Sequence, residues 1–143
     1  MDRVERKYLP MTPAWRILML RILAVAVGAA LGANLRYGVA MWAAKKWGSG
    51  FPVGTMIINV SGSLLIGLAI GLAASRLALT PTLRLLVVTG FLGGYTTFST
   101  FAYETYELFH AGSILRAVGN AAGSVLLGFL GVIVGVMLVR LVP

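Results

Sequence analysis

A chain of 143 residues that is 59% apolar, 11% charged and has a mean hydropathy of +0.91 is too apolar for a water-soluble domain of this size, and reads as an integral membrane protein. With no cysteine and one histidine, disulfides, thiolate metal centres and cysteine nucleophiles are excluded, and metal catalysis has few ligands to draw on. The net charge of +8 comes from basic residues scattered over loops and helix ends, where they anchor helices or meet anionic headgroups; membrane lipid is the expected partner and nucleic acid is not.

Residues 1–16 form a short polar arm with Arg3, Arg6 and Lys7, placed in the cytoplasm. The apolar stretch behind it is too long for a signal-peptide core and lacks a cleavage site. Residues 17–143 are expected to form a four-helix membrane body. The first span, Ile17 to Ala44, is interrupted by Arg21 and Arg36, and charge-free runs follow at Gly48 to Ser75, Leu85 to Tyr103 and Ala117 to Val139. Each is near or above the roughly 20 residues that cross a hydrocarbon core. Short connections are expected at Lys45 to Phe51, Arg76 to Pro81 and Glu104 to Gly112, the last holding the only acids outside the arm.

Within the first span, Arg36 lies in GANLRY with no intramembrane acid to pair with it. Two roles are open: snorkelling toward the headgroups beside Trp42 and Trp47, or a vestibule charge that raises the local anion concentration. In the second span, GTMIINVSGSLLIG presents Asn59, an amide with two N–H donors, with Thr55 one turn before it and Ser61 and Ser63 after it. Asn59 either joins two helices or lines a path for an anion.

The third span contains GFLGGYTTFSTF, Gly90 to Phe101, in which two glycines of high helical cost precede three threonines within five positions. A helix break is expected there, and backbone left unpaired in lipid has to serve a site. Phe98 and Phe101 share one helical face, and their positive ring edges suit an anion; ordinary apolar packing is the alternative. Thr97, Ser99 and Thr100 add hydroxyls. In the fourth span, Asn120 and Ser124 are four apart, forming a polar stripe that either continues this track or bonds helix to helix.

Small residues four apart at Gly28/Gly32, Gly67/Gly71, Gly119/Gly123 and Gly131/Gly135 point to closely packed helices. With the amino terminus inside, eight basic residues fall on the cytoplasmic side against Arg36, Lys45, Lys46 and Arg116 opposite. Without the arm the remaining charges are nearly balanced, which permits insertion in either direction.

Together the GANLRY, GTMIINVSGSLLIG and GFLGGYTTFSTF segments resemble the Fluc fluoride-channel family, also called CrcB, over the chain from about Ile17 onward. The resemblance implies an all-α membrane protein with four transmembrane helices, the third broken, assembled as an antiparallel dual-topology homodimer in the cell's inner (plasma) membrane. It further implies two fluoride pores per dimer and a structural sodium ion (Na+) at the dimer centre. By similarity, Asn59 is the pore asparagine, Phe98 and Phe101 face fluoride, and Thr97, Ser99 and Thr100 match the hydroxyl-bearing part of the motif; the polar stripe of the fourth span, apart from the resemblance, offers Ser124 as a further pore candidate. Arg36 resembles the vestibule arginine, and Gly93 and Thr96 match the positions whose backbone carbonyls hold the sodium.

Fluoride is strongly hydrated, so a pore has to replace its water with several donors yet bind weakly enough for release. Passive conduction is expected over proton-coupled export because no acid falls within the spans so drawn. That absence also disfavours a dual-topology drug or small-cation exporter, which needs an intramembrane acid. A non-conducting assembly protein is a further alternative. An enzyme is not expected, since no nucleophile, base and orienting group occur together.

Overall fold

A computed structural model describes residues 13–74 and 80–141; most of the arm, and Arg76, lie outside the described residues. Four helices long and apolar enough to cross a membrane are formed. They are α1 (Ala14–Trp47), α2 (Val53–Ala74), a composite third crossing, and α6 (Ile114–Arg140). At about 1.5 Å per residue, α1 is roughly 50 Å long, enough to pass through both headgroup layers.

The ends are set by local chemistry. Gly48 stops α1 at φ 76° while its N–H donates to Ala44 O, and Gly112, at φ 74°, turns the chain into α6; both angles favour glycine. Thr80 caps the third crossing by accepting from the Leu83 N–H at 3.3 Å, with Pro81 in the first helical position.

That third crossing is assembled from four pieces. A first turn, α3 (Pro81–Arg84), widens into a π-helical stretch over Leu85–Leu92 and returns to α-geometry in α4 (Gly93–Tyr95). Thr96 (φ −78°, ψ 159°) and Thr97 (φ −152°, ψ 115°) are then extended, and α5 (Phe98–His110) restarts the helix. The expected break is present, but it lies at the threonines and not at the glycines. β-Branched side chains tolerate extended backbone well. Gly93 and Gly94 remain helical.

The glycines serve close approach. A Cβ on Gly94 would come within 2.6 Å of Ala29 O and one on Gly90 within 2.7 Å of Val25 O, while Gly28 and Gly32 of α1 would collide with Leu86 O and Phe91 O. Gly67 and Gly135 meet the facing backbone of α6 and α2 in the same way. One expected pair does not behave so: Gly119 faces open space and Gly123 has only Met56 Cε at 3.4 Å.

Two helix pairs result, α1 against the first half of the third crossing and α2 against α6, with α5 also resting on α6. Few side chains are fully enclosed, the largest being Ile58, Leu92 and Asn120. Large apolar residues such as Leu115 and Phe129 face outward, a surface suited to lipid or to another apolar protein face.

Candidate functional site

The break is held open by Asn59. Its Nδ2 donates to Thr97 O at 3.0 Å, and the Thr97 N–H donates to Asn59 Oδ1 at 2.9 Å, so one side-chain amide pairs with one residue of extended backbone as a neighbouring strand would. Asn59 joins α2 to the third crossing, and its second N–H remains available to the cleft that it lines.

Thr97 does the capping. Its Oγ1 accepts from the Thr100 N–H at 3.3 Å and donates to Thr100 Oγ1 at 3.0 Å, with Ser99 Oγ at 3.4 Å. These bonds divert two donors from their helical acceptors. In an unbroken helix the Thr97 N–H would serve Gly93 O and the Thr100 N–H would serve Thr96 O; the first goes to Asn59 and the second to the cap. Arg36 Nη1 reaches Thr96 O at 3.4 Å. Its guanidinium thus approaches the break, while Trp42 and Trp47 are occupied by Lys46.

Tyr95 OH lies 2.9 Å from Ser61 Oγ, which itself donates to Ile57 O at 2.7 Å, so Tyr95 ties the last turn before the break to α2. Gly62 leaves room for the Thr96 methyl group, which a Cβ there would strike.

A cleft of about 280 Å³ opens beside the break, lined by Asn59, Thr97, Phe98, Phe101 and Ser124, with Ser63 and Thr96 at its margin. The phenyl groups are 5.7 Å apart between centroids and inclined by 51°. Phe98 is 79% exposed, so any full enclosure of that ring needs a surface from outside this chain. Ser99 and Thr100 are exposed and do not line this cleft.

Asn120 is fully buried and donates through Nδ2 to Thr105 Oγ1 at 2.8 Å, while Ser124 Oγ donates to Asn120 Oδ1 at 3.4 Å. Thr105 in turn donates to Phe101 O at 2.7 Å. The stripe on α6 thus bonds helix to helix through Asn120 and reaches the cleft through Ser124.

One expectation is overturned. The third crossing does not end at Tyr103, because α5 continues to His110 and carries Glu104 and Glu107 with it. Glu104 Oε1 accepts from Thr55 Oγ1 at 2.9 Å, and its buried Oε2 has no hydrogen-bond partner among the described residues. Both residues border a second cleft of about 540 Å³ at this end of the bundle. Spacing was the missed signal: Phe101, Glu104 and Leu108 recur at three- and four-residue steps, so the helical face of the phenylalanines runs through the acid.

Among the described residues no three His, Asp or Glu side chains gather to hold a metal. The carbonyls of Gly93 and Thr96 lack their helical donors, since the Thr97 and Thr100 N–H groups bond elsewhere.

The family model described as CrcB-like protein, Camphor Resistance (CrcB), matches residues 23–136. The chain belongs to the CrcB family. Every residue of the cleft and break falls inside that match. Curated relatives share the pattern over nearly their whole length: the fluoride-specific ion channel FluC of Chloroflexus aurantiacus is 53% identical over 122 residues, covering 85% of this chain and 97% of its own. Its namesakes in Roseiflexus sp. and Methylobacterium sp. are 51% identical over 124 residues and 49% over 122, covering 87% and 85% of this chain and 100% and 98% of theirs. CrcB membership agrees with the resemblance carried by the three sequence segments, and places the protein among ion channels, not enzymes.

Proposed function

We propose that this CrcB protein is a fluoride-selective passive channel of the plasma membrane that lets fluoride leave the cytoplasm and so lowers its toxicity. The observation that carries the reading is the cleft at the break, where an amide N–H of Asn59, the Ser124 hydroxyl and the rings of Phe98 and Phe101 converge without a fixed cation among them. Donors of this kind replace a small anion's water in several weak contacts, and the absence of a lysine or arginine in the cleft keeps release fast. The phenyl edges contribute the positive part of the ring quadrupole. Arg36, within reach of Thr96 O, supplies positive potential at the margin of the path.

Passive conduction rests on the relatives, which are named ion channels. Glu104 removes the ground that no acid lies in a span, but it borders the second cleft and not the one that gathers the donors.

The working unit is an antiparallel dual-topology homodimer with two pores, which supplies the second surface that the exposed Phe98 requires. A sodium ion at its centre would be held by the carbonyls of Gly93 and Thr96 from each copy, adding a fixed positive field beside the pores.

Purified protein in liposomes loaded with either anion tests the function. Fluoride efflux with no measurable chloride efflux is the expected result; equal release of both anions, or of neither, refutes it.

A further inference from the structure

The outward face of α1 carries a second feature, remote from the cleft. Leu31, Leu35, Gly38, Trp42 and Lys46 follow one another at steps of four, three, four and four, and so lie along a single face of the helix. Leu31, Leu35 and Trp42 are about half exposed, and a Cβ on Gly38 would meet nothing within 4 Å, leaving a shallow dip in the stripe. At its end Lys46 Nζ sits 4.7 Å from the centre of the Trp47 ring and 5.5 Å from that of Trp42, and the two indoles meet edge to face at 5.1 Å. Lys45 stands beside it, exposed. Arg116, at the adjoining start of α6, is steadied by Gly50 O at 3.5 Å.

We propose that this face is a binding site for one anionic phospholipid, its acyl chain along Leu31, Leu35 and Gly38 and its phosphate at Lys45 and Lys46. Charge argues for it first. Neither lysine nitrogen has a carboxylate or hydrogen-bond acceptor among the described residues, so the N–H donors of both ammonium groups are open. Holding Lys46 between two indoles fixes a side chain that otherwise loses much rotamer freedom on binding.

Position argues second. Trp15, with Arg16 Cζ 5.3 Å from its ring, marks the other end of α1, and the 27 helical steps from there to Trp42 span about 40 Å, close to the thickness of a bilayer with its headgroups. The lysines therefore stand at phosphate depth.

Direction argues third. The second cleft, with Glu104 and Glu107, is lined by Ala40, Met41, Ala44 and Gly48 of α1, and Lys46 lies about 120–160° round the helix from each of them. Lys46 is turned away from those acids. A free phosphate would use the lysines alone; the apolar stripe leading to them selects an amphiphile.

The test uses full-length protein in a neutral detergent, with native mass spectrometry of the lipid retained from an equimolar mixture of phosphatidylglycerol and phosphatidylcholine. Phosphatidylglycerol should be preferred by about 10- to 30-fold. K45Q/K46Q should erase that preference, and Lys46→Arg should keep it. A thermal-unfolding midpoint unchanged in K45Q/K46Q confirms that the altered protein is folded. Equal retention of the two lipids, or undiminished preference in K45Q/K46Q, overturns the site. Displacement of phosphatidylglycerol by millimolar inorganic phosphate would make the ligand a free anion and refute the lipid assignment.

Discussion

Asn59 shows how one side chain combines structure with chemistry. Its oxygen accepts from the Thr97 N–H and one of its two N–H groups donates to Thr97 O, so the extended backbone of the break is satisfied without water. Asn59→Asp keeps the acceptor and loses the donor, setting a carboxylate against the Thr97 carbonyl. Its charge would oppose an anion at about 4 Å by roughly 4 kcal/mol at an effective dielectric of about 20, more than a hundredfold in rate. Fluoride efflux from liposomes should therefore fall to background, and retained flux at neutral pH would refute the assignment. The phenylalanines make a gentler test. Phe98→Ile or Phe101→Ile keeps apolar bulk and removes the quadrupole, whose contacts are worth about 0.5–1.5 kcal/mol, so flux should drop by about two- to twelvefold with the elution volume of the assembled protein unchanged. Unaltered flux in both variants would mean that the rings only pack.

The third crossing shows what the sequence discloses about an element and what it conceals. Its break was legible because glycines and threonines both disfavour helix, but propensity alone does not say which of them bends. The deciding facts are tertiary: α1 approaches so closely at Gly90 and Gly94 that these must stay compact and helical, and Asn59, distant in sequence, captures the Thr97 backbone. The π-helical stretch at Leu85–Leu92 has no sequence signature, being a run of apolar residues that any helix accepts. Glu104 was misplaced because a charge was taken to end a span, whereas Thr55 supplies that carboxylate with a partner inside the bundle. Close approach at the glycines yields its own prediction. Gly32→Ala would drive a methyl group onto Phe91 O and toward the Tyr95 N–H at 2.8 Å, in a seam made of backbone that cannot swing aside. Overpacking of that kind costs about 1–3 kcal/mol. Thermal unfolding in detergent should show a lower midpoint for Gly32→Ala, whereas Gly119→Ala, which faces open space, should leave it unchanged or raised. Equal effects at the two sites would contradict the packing of α1 on the third crossing.

At the scale of the whole molecule, the distribution of charge bears on how the chain enters the membrane. Among the described residues, Arg16, Arg21, Arg84 and Arg140 belong to one end of the helical body and Lys45, Lys46 and Arg116 to the other; Arg36 reaches the break and belongs to neither headgroup layer. These seven charges carry little bias, which leaves any preference to Arg76 and to Arg3, Arg6 and Lys7 of the arm. An antiparallel dimer needs both orientations in similar amounts, and the outward apolar surface requires lipid or a second copy in either case. Because the sequence contains no cysteine, a single Ser49→Cys reporter in the exposed connection after α1 gives an unambiguous signal. In intact cells a membrane-impermeant thiol reagent should label about half of the Ser49→Cys protein, with the remainder labelled only after the membrane is opened. Labelling confined to one side, and persisting when Arg3, Arg6 and Lys7 are changed to alanine, would rule out dual insertion; labelling that becomes two-sided in that variant would assign orientation to the arm and still deny dual insertion to the natural chain.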